Sequence, residues 1–169
     1  MEKKFKLHKN VTWEFLLKNF VITLLIHLLI YAAFVYIRGA YYSSVWILTA
    51  VLVGWFLFYV LPGLVLYLNH LKRSKQVSLE VNHDKFTYKN KLKSAEFKLD
   101  EITKIEIFLT PPSYDARIDF LYLSHFFYCK IHTEKGIEVE LSSLILKNIE
   151  DVFPSNLIER RKKIFPLMR

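Results

Sequence analysis

His125, Cys129 and His132 fall within eight residues of one another, and imidazole and thiolate are the groups a zinc site uses. Such a site needs three or four converging ligands. In a strand, Cys129 and His132 are separated by an odd number of residues and point to opposite faces. The remaining histidines have no compatible spacing. Cys129 therefore reads as a small apolar core residue, and neither a metal nor another cofactor is expected. As the single cysteine it also excludes an internal disulfide. Asp115 and Asp119 flank Arg117 like a carboxylate pair, but they follow Pro111-Pro112 and read as a solvated loop with local ion pairs. The sequence contains no glycine-rich phosphate loop, nucleophile elbow or HExxH pattern. These residues describe a non-enzyme.

One further ionisable residue stands in unusual company. His27 lies inside FVITLLIHLLIYAAFVYI, residues 20–37, eighteen positions without Lys, Arg, Asp or Glu. A second run, residues 45–68, has twenty-four such positions. Each is long enough, with flanking residues or tilt, to cross a hydrocarbon core about 30 Å thick. Both are apolar all round, which suits lipid rather than a soluble core. Thr23 and Tyr31 lie one turn either side of His27 and share its face. An ionisable group at that depth is a functional candidate. Lacking an acidic partner, His27 reads first as a neutral group bonding across the hairpin near Trp55 and Tyr59. Proton handling, as in a small transporter or channel subunit, and contact with another subunit are the alternatives. Pro62-Gly63 predicts a kink in the second helix, and Gly54 a point of close helix approach.

The net charge of +8 sits almost wholly in the apolar half: residues 1–76 carry 9 Lys/Arg against 2 acids, residues 77–169 carry 15 against 14. That distribution argues against nucleic-acid binding, which concentrates cations on the folded domain. Lys3, Lys4, Lys6, Lys9 and Lys18 precede the first span, and Lys72, Arg73 and Lys75 follow the second, while the connector 38–44 holds only Arg38. Lysine asymmetry of this kind places both termini in the cytoplasm. Tyr31, Tyr36, Tyr41, Tyr42 and Trp46 crowd the outer end as interfacial anchors. The first apolar run is too long, and its end too poor a cleavage site, for a signal peptide. Four regions follow: a basic N-terminal segment (1–19), a two-helix hairpin (20–68), a basic linker (69–76) and a soluble domain (77–169).

In the soluble part the apolar period becomes two. VSLEVN (77–82), KFTYKN (85–90), TKIEIFL (103–109) and IEVEL (137–141) alternate as half-buried antiparallel strands do, and LYLSHFFYCKIHT (121–133) reads as a longer central strand. LILKNIEDVF predicts a short helix burying Leu144, Ile145, Ile149 and Val152. NLIERRKKIF, between Pro154 and Pro166, predicts a last helix. Its cations Arg160, Arg161, Lys162 and Lys163 stand beside Ile164, Phe165, Leu167 and Met168. That composition fits either an amphipathic segment on the inner leaflet or a closing helix with a basic outer face. Residues 77–152 hold 10 Lys/Arg and 13 acids, so the domain itself gains little attraction to anionic lipid.

A helix hairpin followed by strands, with a short connection LDEITKIEIF, a long strand ending KIHTEKG and a closing IEVELSSLILKN, resembles the bacterial membrane-anchored pleckstrin-homology-like (PH-like) proteins of the YcxB-like group. Leu99 stands where that group often has tryptophan. The resemblance implies a seven-stranded, partly open barrel with a C-terminal helix, set at the cytoplasmic face of the bacterial inner membrane. Its fold serves lipid and protein binding alike, so it leaves chemistry open. The expectation is an accessory or scaffold protein that binds another membrane or cytoplasmic protein, in contact with membrane lipids. An anionic-lipid sensor working through the basic linker and tail is the alternative.

Overall fold

The computed structural model describes the backbone except at residues 1, 6–8, 39–44, 84, 92, 120–122 and 169, and the side chains except at these and at 2, 3, 9–15 and 38. The chain forms two compact units, residues 10–65 and residues 1–9 with 66–169.

The smaller unit is helical. Helix α1 runs Lys9–Arg38 and α2 runs Val45–Trp55. A single π turn, Phe56–Val60, leads into α3, Leu61–Ser74. Pro62 explains the π turn. Its ring collides with the carbonyl four residues back and it has no N–H to offer, so the preceding turn widens until Leu61 N–H reaches the Phe56 carbonyl, five residues back. Two stretches, Leu16–Ile37 and Val45–Ser74, are long and apolar enough to cross a membrane. The two spans pack closely at Gly63, where an added Cβ would be in van der Waals contact with Phe20 Cζ at 3.4 Å and Leu16 Cδ2 at 3.5 Å. Gly54, expected to play that part, has nothing within 4 Å of the same position.

The larger unit is mainly β. One antiparallel sheet has the order β1-β2-β3-β4, formed by Glu2–Phe5, Ser78–Asn82, Lys85–Lys89 and Ser94–Lys98. The second has the order β7-β6-β5-β8, formed by Glu138–Ser142, Tyr128–Thr133, Ile102–Leu109 and Ile158–Lys162. Strand β8 runs parallel to β5, with Ile107 opposite Arg160. Alternation sorts the side chains: Leu79, Phe86, Phe97, Ile105, Ile107, Cys129, Ile131 and Leu141 are buried in one core, while Lys85, Glu96 and Thr103 face out. Phe86 stacks between Phe97 and Phe153, at centroid distances of 5.6 and 5.0 Å. At the β6–β7 turn Gly136 takes φ +73°, a region other residues avoid.

The β unit departs from several expectations. The N-terminal residues supply β1, which pairs with β2 from Glu2–Asn82 to Phe5–Leu79, so the apolar hairpin is inserted between neighbouring strands. No C-terminal helix forms among the described residues: Ser155–Leu157 is one 3-10 turn, and Ile158–Lys162 is β8. The bare edge of β5 offers a row of hydrogen bonds to whatever lies alongside, and this outweighs the helical propensity of ERRKK. Residues 144–153 likewise form turns, with the Ser142 carbonyl accepting from Ile145 and Leu146 N–H and the Ile149 carbonyl from Val152 and Phe153 N–H. Leu144, Ile145 and Ile149 are nevertheless buried as expected. The long strand begins only at Tyr128, because the Asp119 carboxylate accepts from Leu123 and Ser124 N–H, at 3.1 and 2.6 Å, and folds the preceding loop. Pro111–Asp115 within the proline loop is a short helix, α4.

Candidate functional site

Within the helical unit the face carrying Thr23, His27 and Tyr31 meets the second span. Trp55 Nε1–H donates to Thr23 Oγ1 at 3.0 Å, and Thr23 O–H in turn donates to the Asn19 carbonyl at 2.9 Å. His27 Nδ1–H donates to the Thr23 carbonyl on its own helix, at 2.7 Å, and its ring meets Tyr59 edge-on, with centroids 4.9 Å apart. The bond across the hairpin thus belongs to Thr23 and Trp55, and Tyr59 lies at the level of His27. Tyr31 is half-buried on the same face. Tyr36 and Trp46, expected as anchors, are 90% and 83% exposed; Tyr41 and Tyr42 lie outside the described residues.

The cations grouped by sequence occupy different settings. Lys6 lies outside the described residues; Lys3 and Lys9 are described in backbone only, in β1 and α1. Lys4 pairs with Glu80 across β1 and β2. Lys72 and Arg73 are exposed in the last turn of α3, with exposed Lys75 just beyond. On β8 the cations meet acids: Arg160 with Glu150 at 2.5 Å, Arg161 with Glu159 at 2.8 Å and Glu106 at 3.2 Å, and Lys162 with Asp115 at 2.5 Å. Lys163 donates to the Tyr128 hydroxyl at 2.9 Å and lies over the Tyr128 and Phe108 rings. Hydrogen bonding from Lys162 holds the Asp115 carboxyl below its ordinary range, and Lys104 does the same for Glu106. Exposed pairs of this kind add little to stability, but acids offset three of the four cations at positions 160–163.

Cys129 and His132 occupy opposite faces of β6. Cys129 is buried, and burial pushes its thiol up to about 12. His132 is half-buried on the other face of β6, its Nε2 3.6 Å from Glu106. No group of three potential ligands converges among the described residues. Asp115 and Asp119 do not act together, since Lys162 and Arg117 engage the first and two backbone N–H groups the second.

Sequence reasoning missed a polar clasp at the end of α3. His70 is fully buried. Its Nε2–H donates to the Pro166 carbonyl at 2.8 Å, and its Nδ1 accepts from the Ser142 hydroxyl at 2.8 Å. Ser142 Oγ also accepts Leu144 N–H at 3.1 Å. Asn69 grips the Met168 backbone from both sides, its Oδ1 accepting from N–H at 2.9 Å and its Nδ2 donating to the carbonyl at 3.3 Å. The last residues are thus pinned to the helix end and to β7. Its only sequence signal is that Asn69 and His70 are the first polar residues past the apolar run.

Two surface features remain. An open pocket of about 670 Å³ near the β2–β3 turn is lined by Asn82, His83, Lys85, Lys98, Leu99 and Asp100, with Lys85 held by Glu96 at 2.7 Å. A smaller apolar groove of about 250 Å³ lies where the proline loop meets Ile164 and Phe165.

Two four-stranded sheets around one core, with an apolar hairpin between the first two strands, define a β domain of pleckstrin-homology type. Residues 3–150 match the PH domain family, hairpin included, and the chain belongs to that family. No curated protein matches the chain. A PH-like domain is a module for binding protein or lipid, and its two accompanying helices are long and apolar enough to span a bilayer.

Proposed function

We propose that this chain is a non-enzymatic protein of the bacterial inner membrane, of the YcxB-like kind, whose PH domain holds another protein at the cytoplasmic face. The observation that carries the reading is the pairing of β1 with β2. Strands before and after the hairpin share one sheet, so the chain must leave and return on the same side of a bilayer, which two crossings satisfy. Lysines at both ends of the hairpin favour the cytoplasmic side. The neutralised cations of β8 favour a protein over an anionic headgroup. Strands β4 and β7 end their sheets, and such edges can take an extended partner segment. Tethering raises the local concentration of even a weak module.

The test is purification of the full chain in mild detergent with a photo-crosslinking residue at exposed Ser94 on β4. A defined protein adduct supports the reading. Absence of any protein adduct, with association that tracks anionic lipid, would replace it by lipid sensing, for which the pocket at His83, Lys85 and Lys98 is the supporting observation. A transporter subunit is the weaker reading: His27 Nδ1 is committed to a backbone carbonyl, and neither apolar run contains a carboxylate.

A further inference from the structure

The larger unit carries an apolar surface that its own core does not use. Ile118 is 76% exposed and Ile164 72%, with Tyr114 and Phe165 partly exposed beside the groove that the proline loop makes with residues 164–165. Arg117 adds an exposed cation at this edge. Three large exposed apolar side chains, Ile118, Ile164 and Phe165, line one groove, and with a basic residue at hand they match the composition of surfaces that enter the lipid headgroup layer.

The clasp at the end of α3 sets the depth of this surface. The apolar run ends at Leu68, and His70 lies two residues further, about 3 Å along the helix axis. His70 holds the Pro166 carbonyl at 2.8 Å and Asn69 holds Met168. Ile164 and Phe165 immediately precede these anchored residues. The polar layer on each side of a bilayer is roughly 5–7 Å deep. A segment fixed this close to the end of the apolar run lies at the depth of that layer.

We propose that the Ile118–Ile164–Phe165 surface inserts into the headgroup region of the bilayer that the hairpin spans, holding the PH domain to the membrane surface. The inference rests on the membrane-spanning reading proposed above. Its ligand is the lipid surface itself, met by apolar side chains and Arg117; the open pocket at the β2–β3 turn takes no part. Such seating leaves the remaining domain surface for a protein partner.

The experiment uses the full chain with Cys129→Ser, reconstituted in vesicles of phosphatidylcholine and phosphatidylglycerol. Single cysteines replace Ile118, Leu57 in the second span and Lys135 on the β6–β7 turn, each carrying an environment-sensitive fluorophore. Lipids spin-labelled at the headgroup or deep in the acyl chain serve as quenchers. The expected result is that the Ile118 probe loses roughly half its emission to headgroup quenchers, as an interfacial apolar side chain does, while Leu57 responds to the deep quencher and Lys135 to neither. If Leu57 is quenched and Ile118 is as indifferent to lipid as Lys135, the seating is overturned and the membrane reading stands. An Ile118 probe silent to lipid but self-quenching at high protein density assigns the surface to a second copy and equally overturns the proposal. A Leu57 probe untouched by the deep quencher removes the spanning hairpin and this inference with it.

Discussion

Replacing Ser142 by alanine removes one oxygen with two obligations. Ser142 is 1% exposed; its Oγ accepts Leu144 N–H at 3.1 Å and its O–H donates to His70 Nδ1 at 2.8 Å. Alanine leaves both groups buried without a partner, and each orphaned group costs about 1–3 kcal/mol. The total is roughly 2–6 kcal/mol, a large part of the stability of an ordinary domain. At roughly 4 °C per kcal/mol for a domain of this size, the melting temperature falls by about 8 °C or more. Ser143→Ala is the internal control. Ser143 is also buried, but its Oγ accepts a long bond from Phe127 N–H, 3.4 Å. That loss is worth about 1 kcal/mol or less. The assay needs no added probe, because Cys129 on β6 lies opposite Leu141 of β7 and is the only thiol. Maleimide labelling of the full chain in detergent against temperature gives the midpoint at which this sheet opens. Equal midpoints for the two alanine variants, or a greater loss for Ser143→Ala, would refute the reasoning. The double variant His70→Leu/Ser142→Ala should lose less than the sum of its parts, since it removes both ends of one bond.

Other outcomes follow from single contacts. Gly63→Leu should destabilise the hairpin, since a Cβ already meets Phe20 and Leu16, whereas Gly54→Ala should be tolerated or gain up to about 1 kcal/mol of helix propensity; detergent melting of both variants compares them. Thr23→Val should cost about 0.6–1 kcal/mol by removing the Trp55 bond, and His27→Gln should preserve function at normal abundance. Loss of function in His27→Gln at unchanged membrane level would restore the proton-handling reading. Ile107→Asp buries an unpaired carboxylate in the core and should unfold the β domain, whereas Lys104→Gln on the outer face should leave it folded; limited proteolysis separates the two. With its thiol pushed up to about 12 by burial, Cys129 should stay unlabelled at pH 8 in the folded protein and react fully in denaturant.

The alternating strands were legible because a half-buried strand writes its two faces into consecutive residues: Leu79 and Val81, Phe86 and Tyr88, Ile105 and Ile107. The apolar runs were legible for the same local reason. What stayed hidden depends on partners distant in sequence. Glu2–Phe5 is too short and too charged to show alternation, and becomes a strand only because β2 lies beside it. The segment ERRKK has a helical composition, and the open edge of β5 with the acids Glu106 and Asp115 turns it into β8. The clasp of His70 joins residues 72 and 96 positions apart, which no periodicity reports. Thr23 and His27 illustrate a finer limit. The face was evident from helical spacing, but which of them bonds across the hairpin depends on where Trp55 Nε1 points.

Sidedness of labelling in sealed membranes tests most directly whether a membrane-spanning hairpin is inserted between two paired strands of a PH domain. In a Cys129→Ser background, single cysteines at Lys4 on β1, Lys135 on the β6–β7 turn and Ser43 in the connector are exposed to a membrane-impermeant maleimide in right-side-out and inverted vesicles. The account predicts that Lys4→Cys and Lys135→Cys label only in inverted vesicles and Ser43→Cys only in right-side-out ones. Labelling of Lys4→Cys and Lys135→Cys from opposite sides, or of all three from the same side, would contradict it.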